Sequence, residues 1–275
     1  MRFSLALGLM LATAACGSPK QAEQPTPTPA AITFDGAGAT NSAALVAHGK
    51  RLATVLGCTG CHGENLQGTN VTADDPKFGD MNAPNVTLLL ASYSDAELER
   101  VIRQGVPKDG REFWFMPSEA YQYLSDADLA ALIAHLRTVK PAGKPMPPIR
   151  KGPGFEKDVA SGEFTNSPDT IKRFAAKPPV DLGEQHALGR YIAKTSCSGC
   201  HNSELQGYEG FSPNLDIAGA YAAAELETLL TTGKGKSKPD LGLMAVMGRD
   251  HFVHFTPPER AAVIAYVKAR AERPQ

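Results

Sequence analysis

The sequence contains one five-residue arrangement twice, as CTGCH at Cys58–His62 and as CSGCH at Cys197–His201. Two cysteines three residues apart lie on one helical turn, so each thiol can bond to a vinyl group of the same haem, and the adjoining histidine then lies under the iron. The repeated motif therefore predicts two covalently attached haem c groups.

A lone C-x-x-C pair is also typical of a redox dithiol or of half a zinc site. In this chain a histidine directly follows the second cysteine in both copies, and no other Cys or C-x-x-C lies nearby to complete a Cys-rich zinc centre. The duplication of the whole pentapeptide therefore favours haem attachment over both alternatives.

Length and composition bound the fold and exclude one class of partner. The 275 residues suffice for two ordinary domains, and the hydrophobic fraction of 42% can supply two small cores. The net charge is −1, and haem propionates would add further negative charge. We therefore expect no basic surface for nucleic acid.

The first residues have the layout of a secretory signal. Arg2 precedes an apolar stretch over residues 3–12, and the small residues Ala14 and Ala15 follow. Such a stretch is too short to remain as a membrane-spanning helix. The pattern predicts export to the periplasm, with residues 1–16 forming the signal peptide.

The fifth cysteine, Cys16, lies in a segment, TAACG at 13–17, that resembles a bacterial lipobox. Thr13 departs from that pattern, which usually has Leu, and the alternative is ordinary cleavage after Ala14. Residues 18–31 are rich in Pro, Gln and Thr, a composition typical of an extended tether. We expect Cys16 to be lipidated and to anchor the protein to a membrane, with residues 17–40 forming a flexible tether.

The similarity between the two halves continues beyond the motifs. The matching pairs are Pro84 with Pro213, Asn85 with Asn214, Gly105 with Gly233 and, upstream with a one-residue gap, Gly49 with Gly189. A repeat this long and colinear predicts two copies of one fold. We place them at residues 41–140 and 181–275.

Helical patterns recur in each copy, and no run of alternating apolar and polar residues predicts a strand. An amphipathic helix over 43–56 leads into the first motif, with Gly49 at a close helix crossing. A capping box at Ser94 begins a middle helix, and Ser125 and Thr256 begin the closing helices. The fold class is therefore all-α. Residues 141–180, dense in Pro, Gly and Lys, indicate an irregular interdomain linker.

With these residues in view, each half resembles a class I cytochrome c domain, and the whole chain resembles the bacterial dihaem cytochromes c. The resemblance implies that four cysteines form the thioether bonds and that two histidines are the proximal iron ligands. The cysteines are Cys58, Cys61, Cys197 and Cys200, and the histidines are His62 and His201. It also implies that a backbone carbonyl at Pro84 and at Pro213 accepts the Nδ1 proton of the proximal histidine.

In such domains the distal ligand is a methionine from the loop before the last helix. Met116, nine residues ahead of Ser125, fits this position in the first half. The second half offers Met247, which also stands nine residues before its helix cap, and Met244, which lies in a stretch that resembles the family's distal loop. We favour Met244 and keep Met247 as the alternative. The remaining histidines, His48, His135, His186, His251 and His254, are expected on the surface or in supporting positions.

Histidine and methionine ligation raises the haem potential and fills both axial positions, leaving no open iron site. The simplest function is one-electron transfer between exported redox partners in the periplasm or inner membrane. The alternative is a dihaem oxidoreductase or the electron-accepting subunit of a membrane dehydrogenase. A peroxidase needs a reachable iron and a thiosulfate dehydrogenase typically has a distal thiolate, but neither distal segment contains a spare Cys. We therefore expect a carrier rather than an enzyme.

Overall fold

The computed structural model describes residues 31–273, and helices dominate this part of the chain. The first half contains α1 Ser42–Val55, α2 Cys58–His62, α3 Asp95–Gln104, α4 Ser118–Tyr121 and α5 Asp126–Thr138. The connection contains α6 Pro153–Ala160 and α7 Ser167–Ala176. The second half contains α8 Ala187–Ser196, α9 Ser198–His201, α10 Ala223–Thr232, α11 Leu243–Val246 and α12 Pro257–Glu272. There are also two short strands, β1 Gly79–Asp80 and β2 Arg150–Lys151, several 3-10 helices, and a π-helical turn over Met247–His251.

The ends of the helices follow the capping chemistry of the sequence. The Ser94 side chain accepts the Glu97 N–H at the start of α3, and the Glu97 carboxylate accepts the Ser94 N–H in return. Gly105 ends the same helix in the left-handed conformation, with φ of +62°. Thr256 and Glu259 form an equivalent capping box at the start of α12. These predicted boundaries, and with them the all-α class, are confirmed.

Two matched glycines allow the closest helix crossings. A Cβ placed on Gly49 in α1 would lie 1.8 Å from the carbonyl oxygen of Ala131 in α5. A Cβ placed on Gly189 in α8 would lie 2.1 Å from the carbonyl oxygen of Ala262 in α12. Any side chain at either position would force the helices apart, so the predicted role of Gly49 is confirmed and is repeated in the second half.

The connection between the halves is irregular over residues 141–149 and 177–180, as the sequence indicated, but it also contains regular elements. It contains α6 and α7, and β2 pairs antiparallel with β1, placing Lys151 opposite Gly79. The proline density was misleading only in the middle of the connection, because Pro153 and Pro168 occupy the first turns of α6 and α7, where a missing N–H costs nothing. These prolines begin helices instead of preventing them.

A continuous apolar core joins the two halves, where the sequence suggested two small cores. It combines Leu52 and Leu132 from the first half with Ile192 and Tyr266 from the second. Phe34 lies within this core at 1% exposure. Its ring centroid is 5.3 Å from that of Tyr191 and 6.5 Å from that of Phe255.

The burial of Phe34 shortens the predicted tether of residues 17–40. The backbone N–H of Phe34 donates to Asp128, and that of Asp35 donates to Glu259, so this part of the segment is fixed to both halves. The average composition of the segment gave no indication that one aromatic side chain, Phe34, is buried in the core. Cys16, the signal peptide and residues 17–30 of the tether lie outside the described residues.

Polar contacts cross the interface from matched positions. Arg51 in α1 forms an ion pair with Glu259 in α12, with Nη1 2.7 Å from Oε2. Tyr191, at the corresponding position of α8, donates from Oη to Asp128 in α5 at 2.7 Å. Both carboxylates are fully buried, so each half supplies a polar partner that the other half needs. Between residues 31 and 273, no helix has the length and apolar character needed to cross a membrane.

Candidate haem-binding sites

The first motif occupies a single helical turn. Gly57, with φ of +77°, turns the chain into α2, which carries Cys58, Cys61 and His62. His62 Nδ1 lies 2.9 Å from the carbonyl oxygen of Pro84. Because a carbonyl can only accept, Nδ1 carries the proton and Nε2 presents its lone pair, which is the form that binds iron.

The second motif repeats this geometry. Cys197 directly precedes α9, which contains Cys200 and His201, and His201 is buried. His201 Nδ1 lies 2.8 Å from the carbonyl oxygen of Pro213. The structure thus places a proline carbonyl beside each motif histidine, as the family resemblance implied.

The loop after each motif contains a leucine in the left-handed region. Leu66 has φ of +60° and Leu205 has φ of +62°. Their carbonyl oxygens accept the N–H groups of Val86 and Leu215, which follow the proximal prolines. A left-handed conformation costs a non-glycine residue roughly 1–2 kcal/mol, so its recurrence indicates that the site geometry requires it. The shared Leu-Gln-Gly sequence was the only signal for this feature.

The motif thiols have raised pKa values, which favours their uncharged form. Burial, and then the neighbouring Cys61, raise the pKa of Cys58 to about 12. Burial likewise raises the pKa of Cys197 to about 12, with a further contribution from Cys200. Reactive dithiols and zinc ligands need thiolates instead. Among residues 31–273, no three His, Cys, Asp or Glu side chains are grouped as a metal-ion site requires.

Both motif histidines are held in the neutral form. Burial lowers the pKa of His62, and the hydrogen bond to Pro84 opposes this effect. Burial also lowers the pKa of His201, against the bond to Pro213, and the positive charge of Arg270 lowers it further. A neutral imidazole with a free Nε2 is the state that coordinates iron.

In the first half, Met116 lies in a tight turn directly before α4. Phe115 has φ of +67°, and the Met116 N–H donates to the Trp114 carbonyl at 2.9 Å. The Met116 carbonyl accepts the N–H of Ser118 at 2.7 Å. The side chain is partly buried against the shared core. The turn fixes the position from which Met116 is predicted to ligate the first iron.

The two candidate methionines of the second half differ in backbone conformation. Met244 lies in α11, whereas Met247 begins a π-helical turn over Met247–His251. The Met247 methyl group lies 3.8 Å from the place that a Cβ on Gly57 would occupy, so it is directed towards the first motif. A π-turn inside a helix is often found at a functional site.

The sequence profile of the cytochrome c family matches residues 46–140 and 186–271, and each match contains one motif. The chain belongs to the cytochrome c family. It has two tandem cytochrome c domains, carries two haem c groups with their iron, and functions in electron transfer.

Two curated proteins are similar to this cytochrome over most of its length. A nicotinate dehydrogenase subunit of Pseudomonas putida is 28% identical over 247 residues, covering 86% of the chain and 20% of that protein. The fructose dehydrogenase cytochrome subunit of Gluconobacter japonicus is 25% identical over 267 residues, covering 84% of the chain and 54% of that protein. The chain therefore spans only about a fifth and about half of the lengths of these relatives.

The residues of this cytochrome fit haem c. Each half presents two thiols one turn apart and a neutral imidazole oriented by a carbonyl, together with a thioether from a later loop. Nitrogen and sulfur donors in this combination are those of His/Met-ligated haem. The assignment of the individual cysteines, histidines and methionines stays a prediction.

Two of the other histidines are buried at the domain interface. His48 Nε2 lies 2.9 Å from Asp128, and His251 Nδ1 donates to the Thr54 carbonyl at 2.8 Å. His251 thus connects the distal segment of the second domain to α1 of the first. The sequence showed no sign of this contact because the two residues are 197 positions apart.

An aromatic cluster, which sequence analysis missed, surrounds the segment before Met116. Its five members are Phe78, Trp114, Phe115, Phe155 and Phe164. Phe155 comes from α6 of the connection, and its ring lies 5.1 Å from that of Trp114 and 5.6 Å from that of Phe78. The connection therefore supports the distal loop of the first domain.

Proposed function

We propose that this cytochrome accepts electrons from a dehydrogenase and passes them singly to a second redox protein outside the cytoplasm. The observation that carries the proposal is that both similar proteins are dehydrogenase subunits, and that one of them is named as the cytochrome subunit. Among the functions considered from the sequence, this favours the electron-accepting subunit over a peroxidase-type enzyme. The dehydrogenase and its substrate belong to a partner chain.

In this proposal His62 and Met116 hold the first iron, and His201 and Met244 hold the second. Haem iron supplies the one-electron chemistry by cycling between the ferric and ferrous states. Ligation on both faces leaves no open position, so the chain binds no substrate at either iron. The polypeptide sets the position and the potential of each centre.

The direction of the Met247 side chain supports Met244 as the second distal ligand. Met247 points across the interface to Gly57, in the domain that carries the first motif. A thioether occupied in that contact is poorly placed to reach the iron of its own domain. Met244 lies outside the π-turn, and both methionines pack, partly buried, against the shared core.

Contacts between each haem motif and the distal segment of the other domain support electron exchange within one molecule. A Cβ placed on Gly199 would lie 3.3 Å from the Pro117 Cβ, and a Cβ placed on Gly60 would lie 3.2 Å from His251 Nε2. The distal segment of each domain therefore contacts the haem motif of the other. An electron that enters at one domain needs no dissociation step to reach the second.

A redox titration of the holoprotein followed by ultraviolet-visible absorption, with and without carbon monoxide, tests the axial ligation. We expect two low-spin haems and no spectral shift with carbon monoxide, because both distal positions are filled. A high-spin haem, or one that binds carbon monoxide, would contradict the carrier and favour the oxidoreductase alternative.

Deletion of the gene tests the dehydrogenase link. We expect one dehydrogenase activity to persist when assayed with a small-molecule dye as acceptor, while respiration on the same substrate is lost. Complementation with the intact gene should restore that respiration. Unchanged respiration on every oxidisable substrate of the host would refute this part of the proposal.

The proposed location is the periplasm, with attachment to a membrane through lipidated Cys16. The basic and apolar residues before Cys16 support export, and the Pro-rich residues after it suit a spacer between an anchor and a folded head. In this proposal the acyl chains on Cys16 provide the stable attachment to the membrane.

Cys16→Ser tests this anchor. We expect the variant to move from the membrane fraction to the soluble periplasmic fraction with both haems intact, since Cys16 lies far from the haem motifs in sequence. Ser18→Ala is a suitable control and should remain with the membrane. A wild-type protein that is already soluble after export would show that Cys16 belongs to a discarded signal.

A further inference from the structure

The two haem sites differ most in what surrounds the loop beside the proximal histidine. In each domain, the proline whose carbonyl accepts the histidine proton is followed by an asparagine. These residues, Asn85 and Asn214, each accept a backbone N–H two residues later and so hold the loop in the same turn. Their remaining hydrogen-bond partners have different charges.

In the first domain the partners of Asn85 are neutral. Its side-chain amide donates to the carbonyl of Ala142 at 2.7 Å and to that of Lys144 at 3.1 Å. Its side-chain oxygen accepts from the Thr87 hydroxyl at 2.7 Å. The start of the connection therefore fixes this proximal loop without placing a formal charge in contact with it.

In the second domain the partner of Asn214 is a buried cation. Arg270 Nη1 donates to the Asn214 side-chain oxygen at 3.0 Å, and Nη2 donates to the Glu204 carbonyl at 2.8 Å. Arg270 is only 1% exposed, and its Nε has no hydrogen-bond partner among residues 31–273. A guanidinium group keeps its charge even when it is buried.

Asp216 balances only part of the positive charge that Arg270 and Arg273 bring to the proximal loop. Its carboxylate pairs with Arg270 and also with Arg273, whose Nη1 lies 2.8 Å from Oδ1. Among the described residues, these two guanidinium groups share one carboxylate, and the three side chains together retain a net positive charge. Since Arg270 is the more deeply buried of the two, its field is the less screened by solvent.

The asymmetry results from the length of the closing helix. The helix α12 has 16 residues, whereas α5 has 13. If the two helices are matched from their caps, the residue corresponding to Arg270 is Val139, which stands just after the end of α5. The longer helix carries a cation to the proximal loop of the second domain, and the first domain has an apolar side chain at the same position.

We propose that Arg270 raises the reduction potential of the second haem above that of the first, so that electrons pass from the first domain to the second. A nearby cation disfavours the ferric state, which carries one more positive charge than the ferrous state, and the effect is strong where the surroundings are dry. The inference rests on the proposed roles of His62 and His201 as proximal ligands.

Arg270→Gln is the direct test, because Gln retains a hydrogen-bond donor for Asn214 and removes the charge. We expect the potential of one haem to fall, with at least a tenfold change in its ratio of reduced to oxidised form at a fixed electrode potential, or about 59 mV for one electron. The other haem should not shift. Arg260→Gln on the same helix is the matched control, since Arg260 pairs with Glu227 and not with the proximal loop.

Asp216→Asn tests the sign of the effect and remains informative if Arg270→Gln does not fold. Removing the carboxylate leaves the guanidinium charges uncompensated, so the same haem should rise in potential. Combining each variant with Met116→Ala, which marks the first haem by loss of its thioether ligand, identifies the haem that shifts. In these double variants the shift caused by Arg270→Gln or Asp216→Asn should still appear on the second haem, which keeps its thioether ligand.

Equal shifts of both haems, no shift with Arg270→Gln, or a fall with Asp216→Asn would overturn the inference. A haem that binds carbon monoxide in the protein with both distal methionines intact would instead contradict the proposed ligation. That result is read from the spectrum and not from the potentials, so the two failures are distinguishable.

Discussion

Met244 and Met247 stand three residues apart but lie in different kinds of helix. Counting back nine residues from the helix cap selects Met247, yet this count assumes the same rise per residue in both distal segments. The second domain places a π-turn over Met247–His251 and a short 3-10 turn over Phe252–His254, where the first has only the single turn of α4. The assumption therefore fails at this position.

Met244→Ala should abolish the weak far-red thioether-to-iron absorption of one haem and lower its potential, because the thioether favours ferrous iron. Met247→Ala should keep that absorption and cost roughly 2 kcal/mol of unfolding free energy, as expected for a partly buried side chain. Absorption spectra and denaturant titrations of both variants measure the two effects. The reverse pattern would assign the second iron to Met247.

The helices α6 and α7 support the distal loop of the first domain, a role that the sequence did not predict. They come from the predicted linker, and both attach to the segment that carries Met116. The Ser167 N–H of α7 donates to the Phe113 carbonyl at 2.9 Å, and Phe155 of α6 is 1% exposed within the aromatic cluster. The second domain has no such addition in the described residues, so the distal loop of the first domain is supported by an element outside the repeat.

Phe155→Ala should loosen the Met116 loop as well as destabilise the fold. The lost ring leaves a cavity that costs about 3–5 kcal/mol of unfolding free energy. We expect one of the two thioether absorptions to disappear on heating well before global unfolding. Phe34→Ala is the control, because Phe34 is equally buried but packs against Tyr191 and Phe255. Loss of the absorption in both variants would show a general effect of stability.

The two domains form one compact unit because their contacts are reciprocal. Arg51 and Tyr191, at matched positions of the first helices, each reach a buried carboxylate on the closing helix of the other domain. Phe34 fills the apolar space between them. A shared core of this kind should unfold cooperatively, since neither domain can expose its half without exposing the other.

Arg51→Ala should cost about 3 kcal/mol or more, because it leaves the fully buried Glu259 carboxylate without its cation. Lys172→Ala should cost less than about 1 kcal/mol, since Lys172 and Asp169 form an exposed ion pair. Thermal unfolding followed at the haem absorption and by circular dichroism measures both. Two separate transitions in the wild type would show that the domains fold independently.

The local features of this cytochrome were predictable from its residues alone. The haem motifs, the capping box at Ser94 and the glycine at Gly49 depend on side chains within a few positions of one another, and a short window of sequence contains all the information. The repeat then extended each assignment from one half to the other. The all-α class and the haem chemistry followed from these patterns.

Other features depend on contacts between distant parts of the chain. The periodicity of apolar residues shows that a helix face is buried but not what covers it. The sequence therefore gave no indication that the two cores are joined or that Phe34 is buried between them. Arg270 and Asn214 are 56 residues apart, and Arg51 and Glu259 are 208 apart. Only the packing of the helices brings these groups together, and it therefore decides how the two otherwise similar haem sites differ.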